Sequence, residues 1–150
     1  MHARRVAVTE DIRALDTLRQ PDYSSAFEAA ITATDSRSPD DRARAMFESA
    51  PVPLRRLLWL GWRAVLGFRL GPRRAPGYVQ GWRIVGSTPD TVVFEAGSSL
   101  MVAHNVLRMR DSRVVLATFV SYRRWPARVL WAVAAPIHHV TIPYLLRRSG

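Results

Sequence analysis

The chain of 150 residues has no cysteine and no lysine, and only 12 of its residues are acidic. Without cysteine it can form no disulfide framework, Cys-ligated metal site, iron–sulfur cluster or thiol nucleophile. Without lysine it has neither a Schiff-base amine nor the phosphate-binding lysine of a P-loop. Because 48% of the residues are hydrophobic and 23% are charged, the composition is that of a globular domain that can bury a core without cross-links.

All 22 basic residues are arginines, and they are unevenly distributed. Residues 1–50 contain 7 arginines and 9 acidic residues, whereas residues 51–150 contain 15 arginines and only three acidic ones. This charge is compatible with ordinary solvated arginines, which is our first interpretation, or with an anionic partner. Because no nucleic-acid recognition motif is present, we do not expect nucleic-acid binding. Docking on an anionic partner or, peripherally, on a membrane surface stays an alternative.

Neither end of the chain is predicted to direct it to a membrane. Arg4 and Arg5 are followed by only three apolar residues and then by Thr9, Glu10 and Asp11, so the sequence is acidic where the apolar region of a signal peptide should lie. Near the other end, residues 129–146 have no formal charge, but they include two histidines and two prolines. Since a spanning helix needs roughly 20 mostly apolar residues, we expect this stretch not to cross a membrane and the protein to be cytoplasmic.

The first half of the chain is predicted to supply one strand and two helices. We interpret residues 1–21 as an N-terminal extension and residues 22–150 as a single domain, with a first strand over residues 22–32. Ser38, followed by a proline and two aspartates, is typical of a helix N-terminus, and this helix should reach about residue 49. A second helix over residues 54–66 is so rich in apolar residues that we expect it to be largely buried.

In the second half, alternation of apolar and polar residues predicts an antiparallel meander of four strands, over residues 78–86, 91–97, 100–110 and 113–122. A long helix should follow from Trp125 to Arg148, with Pro136 and Pro143 on its outer side. The inner stripe is predicted to consist of Leu130, Val133, Ala134, Ile137, Thr141, Tyr144 and Leu145. The predicted fold class is therefore α+β, with a small antiparallel sheet of about five strands wrapped on a C-terminal helix.

This order of elements resembles the START/polyketide-cyclase-like (SRPBCC) helix-grip superfamily. Several local sequences are similar to an actinobacterial domain-of-unknown-function branch of it, over about residues 22–148. They are Asp22-Tyr23 with Phe27, residues 44–51, Trp62-Arg63 with Leu66-Gly67, Gly81-Trp82, residues 94–99, Trp131 and residues 135–138. The resemblance implies a cavity between sheet and helix that binds apolar or amphipathic molecules, and some members catalyse cyclisation or hydration there. Members usually have six or seven strands, so five would imply a smaller cavity or none.

Three residues are candidates for acid–base chemistry, although none belongs to a catalytic signature. Glu95 would need to point inward, where burial raises the pKa of a carboxyl. His104 and Asn105 are adjacent in a strand, so only one of them can face the inside. His138 should lie at the margin of the inner stripe of the last helix, whereas His139 lies near the opposite side. We therefore expect no metal site and no cofactor.

The sequence leads us to expect a non-enzymatic module that binds a small apolar or amphipathic molecule. A cavity volume well under roughly 300 Å³ would count against this function. The candidate ligand-binding residues are Trp82, Phe94, Phe119, Trp131, Ile137, His138 and Tyr144. A cyclase- or hydratase-like enzyme on the same fold is the alternative, and it requires one of the three acid–base candidates inside the cavity. The oligomeric state is left open.

Overall fold

The structure is a computed structural model, and it describes residues 3–15, 21–31, 37–72, 75–110 and 112–149. The strands among these residues are β1 (Ala3–Val6), β2 (Tyr23–Ala30), β3 (Tyr78–Val79), β4 (Trp82–Ser87), β5 (Thr91–Gly97), β6 (Met101–Arg110) and β7 (Arg113–Tyr122). The helices are α1 (Glu10–Leu15), α2 (Pro39–Glu48), α3 (Val52–Leu60), which continues into a π-helical turn (Gly61–Val65), and α4 (Trp125–Ser149).

The strands form one open antiparallel sheet in the order β1-β2-β7-β6-β5-β4-β3. Consecutive strands from β4 to β7 are neighbours, as predicted for a meander, and β2 returns to pair with β7. Seven strands form instead of the predicted five. One is β1, which pairs with β2 although its residues were assigned to an extension. The other additional strand is β3, because the predicted strand over residues 78–86 is divided in two. Gln80 and Gly81 have φ values of 49° and 91°, and they form a tight turn between β3 and β4.

The two faces of the sheet are covered differently. The main core lies between one face and α2 and α4, and it includes Phe47, Phe94, Leu107 and Leu145. On the other face α1 contributes Ile12 to a smaller core, whose other buried members are Ala26, Val93, Val106, Ala117 and Phe119. Because successive strand residues point to opposite faces, the buried apolar residues of β5, β6 and β7 are divided between the two cores.

The start of α2 is formed as the sequence predicts. Ser38 has an extended backbone and its Oγ accepts a hydrogen bond from the backbone N–H of Asp41 at 3.2 Å. Pro39 occupies the first turn, where no intrahelical partner is needed for its nitrogen.

We expect Ser38→Ala to lower the free energy of unfolding by about 1 kcal/mol, because it leaves an N-terminal N–H group of α2 without its acceptor. Ser38→Asn retains a capping oxygen and should stay within about 0.5 kcal/mol of the wild type. Urea denaturation followed by circular dichroism measures both variants, and an equal loss in the two would contradict a capping role.

The second helix is not buried, contrary to the sequence-based expectation. None of the described residues of α3 or of the π-helical turn is buried. Leu54, Leu58 and Trp62 pack partly against the core, whereas Leu57, Leu60 and Val65 are exposed. The reason is that only one side of this segment approaches the sheet, and no further layer of the described chain covers the apolar residues on its other side.

The orientation of α4 also differs in part from the prediction. Leu145 is buried as predicted, but Val133 and Ile137, which were assigned to the inner stripe, are exposed. Apolar residues occur all round this helix, so periodicity does not define a single inner face. The stretch Trp125–Arg147 is long and apolar enough to cross a membrane, with a mean hydropathy of 1.4, and 28% of its most apolar part is buried.

Candidate functional site

A cavity lies between the helical layer and the face of the sheet that carries the main core. Its volume is about 220 Å³, which is below the lower end, roughly 300 Å³, of small-molecule pockets. The π-helical turn and α3 form one wall, α4 forms the opposite wall, and β4, β6 and β7 form the floor. The lining residues are Phe47, Leu57, Leu58, Gly61, Trp62, Val65, Leu66, Phe68, Trp82, Ala103, Asn105, Thr118, Trp131, Ala134, Ile137, His138, Thr141, Ile142 and Leu145.

Four of the seven predicted ligand-binding residues line this cavity, namely Trp82, Trp131, Ile137 and His138. Phe94 is fully buried behind the wall, where its ring contacts that of Trp82 edge-to-face at a centroid distance of 5.8 Å. Phe119 belongs to the core on the other face of the sheet and therefore does not line the cavity. Tyr144 is half-buried against the main core, outside the described lining.

The strand register explains which polar residues face the cavity. Asn105 of β6 lies opposite Thr118 of β7, and His104 lies opposite Phe119. Since neighbouring residues alternate, Asn105 and Thr118 point into the cavity and His104 points away. The Thr118 hydroxyl donates a hydrogen bond to Asn105 Oδ1 at 2.6 Å. The sequence predicts that only one of His104 and Asn105 faces the cavity, but it does not indicate that this residue is Asn105. It gives no signal that Thr118 lines the cavity.

The walls of the cavity contain three buried polar atoms without a hydrogen-bond partner among the described residues. They are the indole Nε1 atoms of Trp82 and Trp131 and the Nε2 atom of His138. An indole N–H is always a donor, whereas the role of the imidazole nitrogen depends on its tautomer. Leaving such a group unpaired in the interior costs about 1–3 kcal/mol. The residues that line the cavity therefore include at least two indole donors without a described partner.

The cavity carries no charge on its described lining residues. Burial, together with smaller effects of the nearby His139 and Arg5, lowers the pKa of His138 to about 3. The imidazole of His138 is therefore neutral at neutral pH. Because an isolated ionised group is costly to bury without a partner, this environment favours an uncharged molecule, or the uncharged part of a larger one.

Glu95 and His104 form a pair on the opposite face of the sheet. His104 Nε2 lies 2.7 Å from Glu95 Oε2, and the guanidinium of Arg83 donates to Glu95 Oε1 at 3.2 Å. Burial alone would raise the pKa of Glu95, but the hydrogen bonds from His104 and Arg83 outweigh it, and the pKa is lowered. Both residues were candidates for chemistry inside the cavity, and neither is placed there.

We expect Glu95→Gln to lower the free energy of unfolding by about 1–2 kcal/mol at pH 7, because a carboxylate makes stronger hydrogen bonds than an amide. A lowered pKa means that the carboxylate contributes stability above its ordinary pKa and loses it as the pH falls through the folded-state value. The difference between wild type and variant should therefore shrink between neutral and strongly acidic pH in urea titrations. Glu48→Gln, at an exposed position, is the control, and a pH-independent difference for Glu95→Gln would contradict this account.

The comparisons with known proteins give a family and one related structure. Residues 17–145 match the family of proteins of unknown function DUF2867. None of the curated proteins matches the chain. A protein from Arthrobacter aurescens, solved by NMR in solution, is similar over 89% of this chain and 92% of its own, with 14% identity and a TM-score of 0.40. Because the family match extends over most of its length, the chain belongs to the DUF2867 family.

Proposed function

We propose that this protein binds a small, uncharged apolar or amphipathic molecule in the cavity between the sheet and α4, and that it does so as a non-enzymatic module on a helix-grip type of fold. The sheet has seven strands, within the usual number for the START/polyketide-cyclase-like superfamily that the sequence resembles. The observation that carries the proposal is the set of three unpartnered polar atoms in the walls of one apolar cavity.

The chemistry of the walls defines the class of molecule. Leu58, Leu66 and Ile142 supply aliphatic contacts, and Trp62 supplies an aromatic one. An apolar body buried there gains roughly 25 cal/mol per Å² of surface removed from water. An acceptor oxygen, such as that of a carbonyl, ether or hydroxyl group, satisfies the N–H groups of the two buried indoles. The bound part is thus a mainly apolar molecule with one or two acceptor atoms.

The volume limits the size of this molecule. An engineered apolar cavity of about 150 Å³ holds benzene, whereas drug-sized ligands occupy roughly 300 Å³ or more. A cavity of about 220 Å³ lies between the two. The ligand is accordingly a one- or two-ring molecule or a short chain, unless part of it extends through the opening between α3 and α4.

The enzymatic alternative depends on one residue. Among the three candidate acid–base groups, only His138 lines the cavity, and its pKa of about 3 leaves it unprotonated at neutral pH. A proton donor for cyclisation or hydration would have to be supplied by another group. We therefore favour binding over catalysis.

Native mass spectrometry of the gently purified protein tests the proposal. We expect a fraction of the protein to carry one small neutral molecule, which organic solvent releases for identification. Protein that purifies empty is then titrated calorimetrically with 1-naphthol, a neutral two-ring probe with one hydroxyl group. Absence of both a co-purified molecule and naphthol binding would overturn the proposal.

A further inference from the structure

Besides Val52 at the start of α3, eight large apolar side chains are exposed on the helical layer. We call this surface the apolar face, and it consists of Leu57, Leu60, Val65, Trp125, Val129, Val133, Ile137 and Val140. Trp125 is 80% exposed and Val140 is 74% exposed. The five α4 residues lie within an arc of about 120° at 100° per residue. They therefore form one continuous stripe rather than scattered surface residues, and such a patch marks an interaction site.

The charges on the helices that carry the apolar face are all of one sign. No acidic residue occurs from Pro51 to Pro89 or from Ser112 to Gly150, so α3, the π-helical turn and α4 carry arginines only. Arg56 and Arg63 are exposed beside α3, and Arg128 and Arg147 are exposed near the two ends of α4. These four form no ion pair with any residue that the structure describes.

A basic surface cleft lies where α4 begins. Its volume is about 310 Å³, and it is lined by Asp22, Tyr122, Arg123, Arg124, Trp125 and Arg128. The single carboxylate there, that of Asp22, already accepts a hydrogen bond from the backbone N–H of Tyr122 at 2.7 Å. Three arginines beside a highly exposed tryptophan combine a site for a phosphate group with a side chain that favours the membrane–water interface.

The cavity opens on the apolar face. Leu57, Val65 and Ile137 line the cavity and are each more than half exposed, so they form the rim of its mouth. A molecule that enters or leaves between α3 and α4 must pass this rim. The apolar face and the proposed binding cavity are therefore continuous, although the charge and exposure of the face do not depend on what the cavity holds.

We propose that the apolar face docks on the surface of an anionic membrane. Its exposed side chains enter the interfacial region, while the surrounding arginines contact lipid phosphates. A second copy of the chain fits this face poorly, because pairing it with itself would place arginines against arginines. The packing of α4 favours docking over a spanning arrangement, since Ala127, Leu145 and Leu146 on its inner side are fully buried in the core. The docking places the mouth of the cavity against the lipid.

Flotation with vesicles tests this docking. Wild-type protein is mixed with vesicles of phosphatidylcholine alone or of phosphatidylcholine with phosphatidylglycerol. We expect binding to the anionic vesicles to be about tenfold stronger or more, and high salt should release the protein. The double variant Val129→Glu/Val133→Glu, which leaves the cavity lining intact, should lose about tenfold or more of this binding. Val85→Glu, at an exposed valine of β4, is the matched control and should bind as the wild type does.

Analytical sedimentation measures the oligomeric state, and a variant that fills the cavity separates vesicle binding from ligand binding. Equal binding of the wild type to neutral and anionic vesicles, or undiminished binding of Val129→Glu/Val133→Glu, would overturn the proposal. The proposal would also be overturned if the wild type forms a dimer that the double variant abolishes, and if no vesicle binding is found. It would likewise be overturned if vesicle binding resists high salt and alkaline carbonate. Ala134→Trp, which fills the cavity, should bind vesicles normally, so failure of the ligand proposal would not obscure this result.

Discussion

Ala134→Trp is expected to abolish binding of 1-naphthol and of any co-purified molecule. Ala134 is half-buried on the inner side of α4 and lines the cavity between Trp131 and Ile137. An indole at this position occupies a large part of a volume of about 220 Å³. Overpacking of this kind costs about 1–3 kcal/mol of stability, so the variant should still fold. Calorimetric titration should show a loss of at least about tenfold in affinity, equivalent to about 1.4 kcal/mol.

Ala132→Trp is the matched control for this experiment. It introduces the same side chain on the same helix, but Ala132 is exposed on the outer side. We expect naphthol binding like that of the wild type. If Ala134→Trp folds, as judged by circular dichroism, and binds naphthol with wild-type affinity, the molecule does not occupy the proposed cavity.

Leu145→Ala is expected to cause the largest loss of stability among these variants, about 2–5 kcal/mol. Leu145 is fully buried in the main core and lines the cavity, so truncation removes apolar contacts and enlarges an existing void. Val133→Ala, on the exposed side of the same helix at 65% exposure, should cost less than about 0.5 kcal/mol. Urea denaturation of the two variants gives the comparison. Similar losses in both, or a greater loss for Val133→Ala, would mean that α4 is rotated relative to the sheet.

Local signals in the sequence predicted much of the fold. The N-terminus of α2 was located because Ser38, a proline and two aspartates act within one helical turn, and Ser38 Oγ indeed caps the helix. The four strands of the meander were found because a half-buried strand alternates with period two. These signals depend on a few neighbouring residues, and for that reason they can be interpreted without knowledge of the rest of the chain.

Features that depend on distant contacts were predicted less well. Strand β1 is ordered by pairing with β2, and its short polar sequence gives no sign of a partner. The apolar residues of α3 and α4 suggested burial, yet hydrophobicity alone does not distinguish a core residue such as Leu145 from an exposed one such as Val140. Distinguishing them requires knowing how many layers the fold has, which is a tertiary property.

The candidate site was only partly predicted, again because its lining depends on contacts between residues that are distant in the sequence. Trp82, Trp131, Ile137 and His138 were selected as large or polar residues on elements expected to face each other, and they line the cavity. Phe119 was misplaced because the assignment of a strand face depends on register, and a shift of one residue reverses every side chain. The same register places Asn105, not His104, beside Thr118 in the cavity.

The indole N–H signals of the five tryptophans provide the most direct test of the central claim, that the space between the sheet and α4 binds a small neutral molecule. Two-dimensional ¹H–¹⁵N NMR resolves these signals while 1-naphthol is added. We predict saturable shifts for Trp82 and Trp131, which line the cavity and whose buried Nε1 atoms have no described partner, and none for Trp125, which is 80% exposed. Unchanged signals of Trp82 and Trp131 at saturating naphthol, or shifts confined to Trp125, would contradict the account.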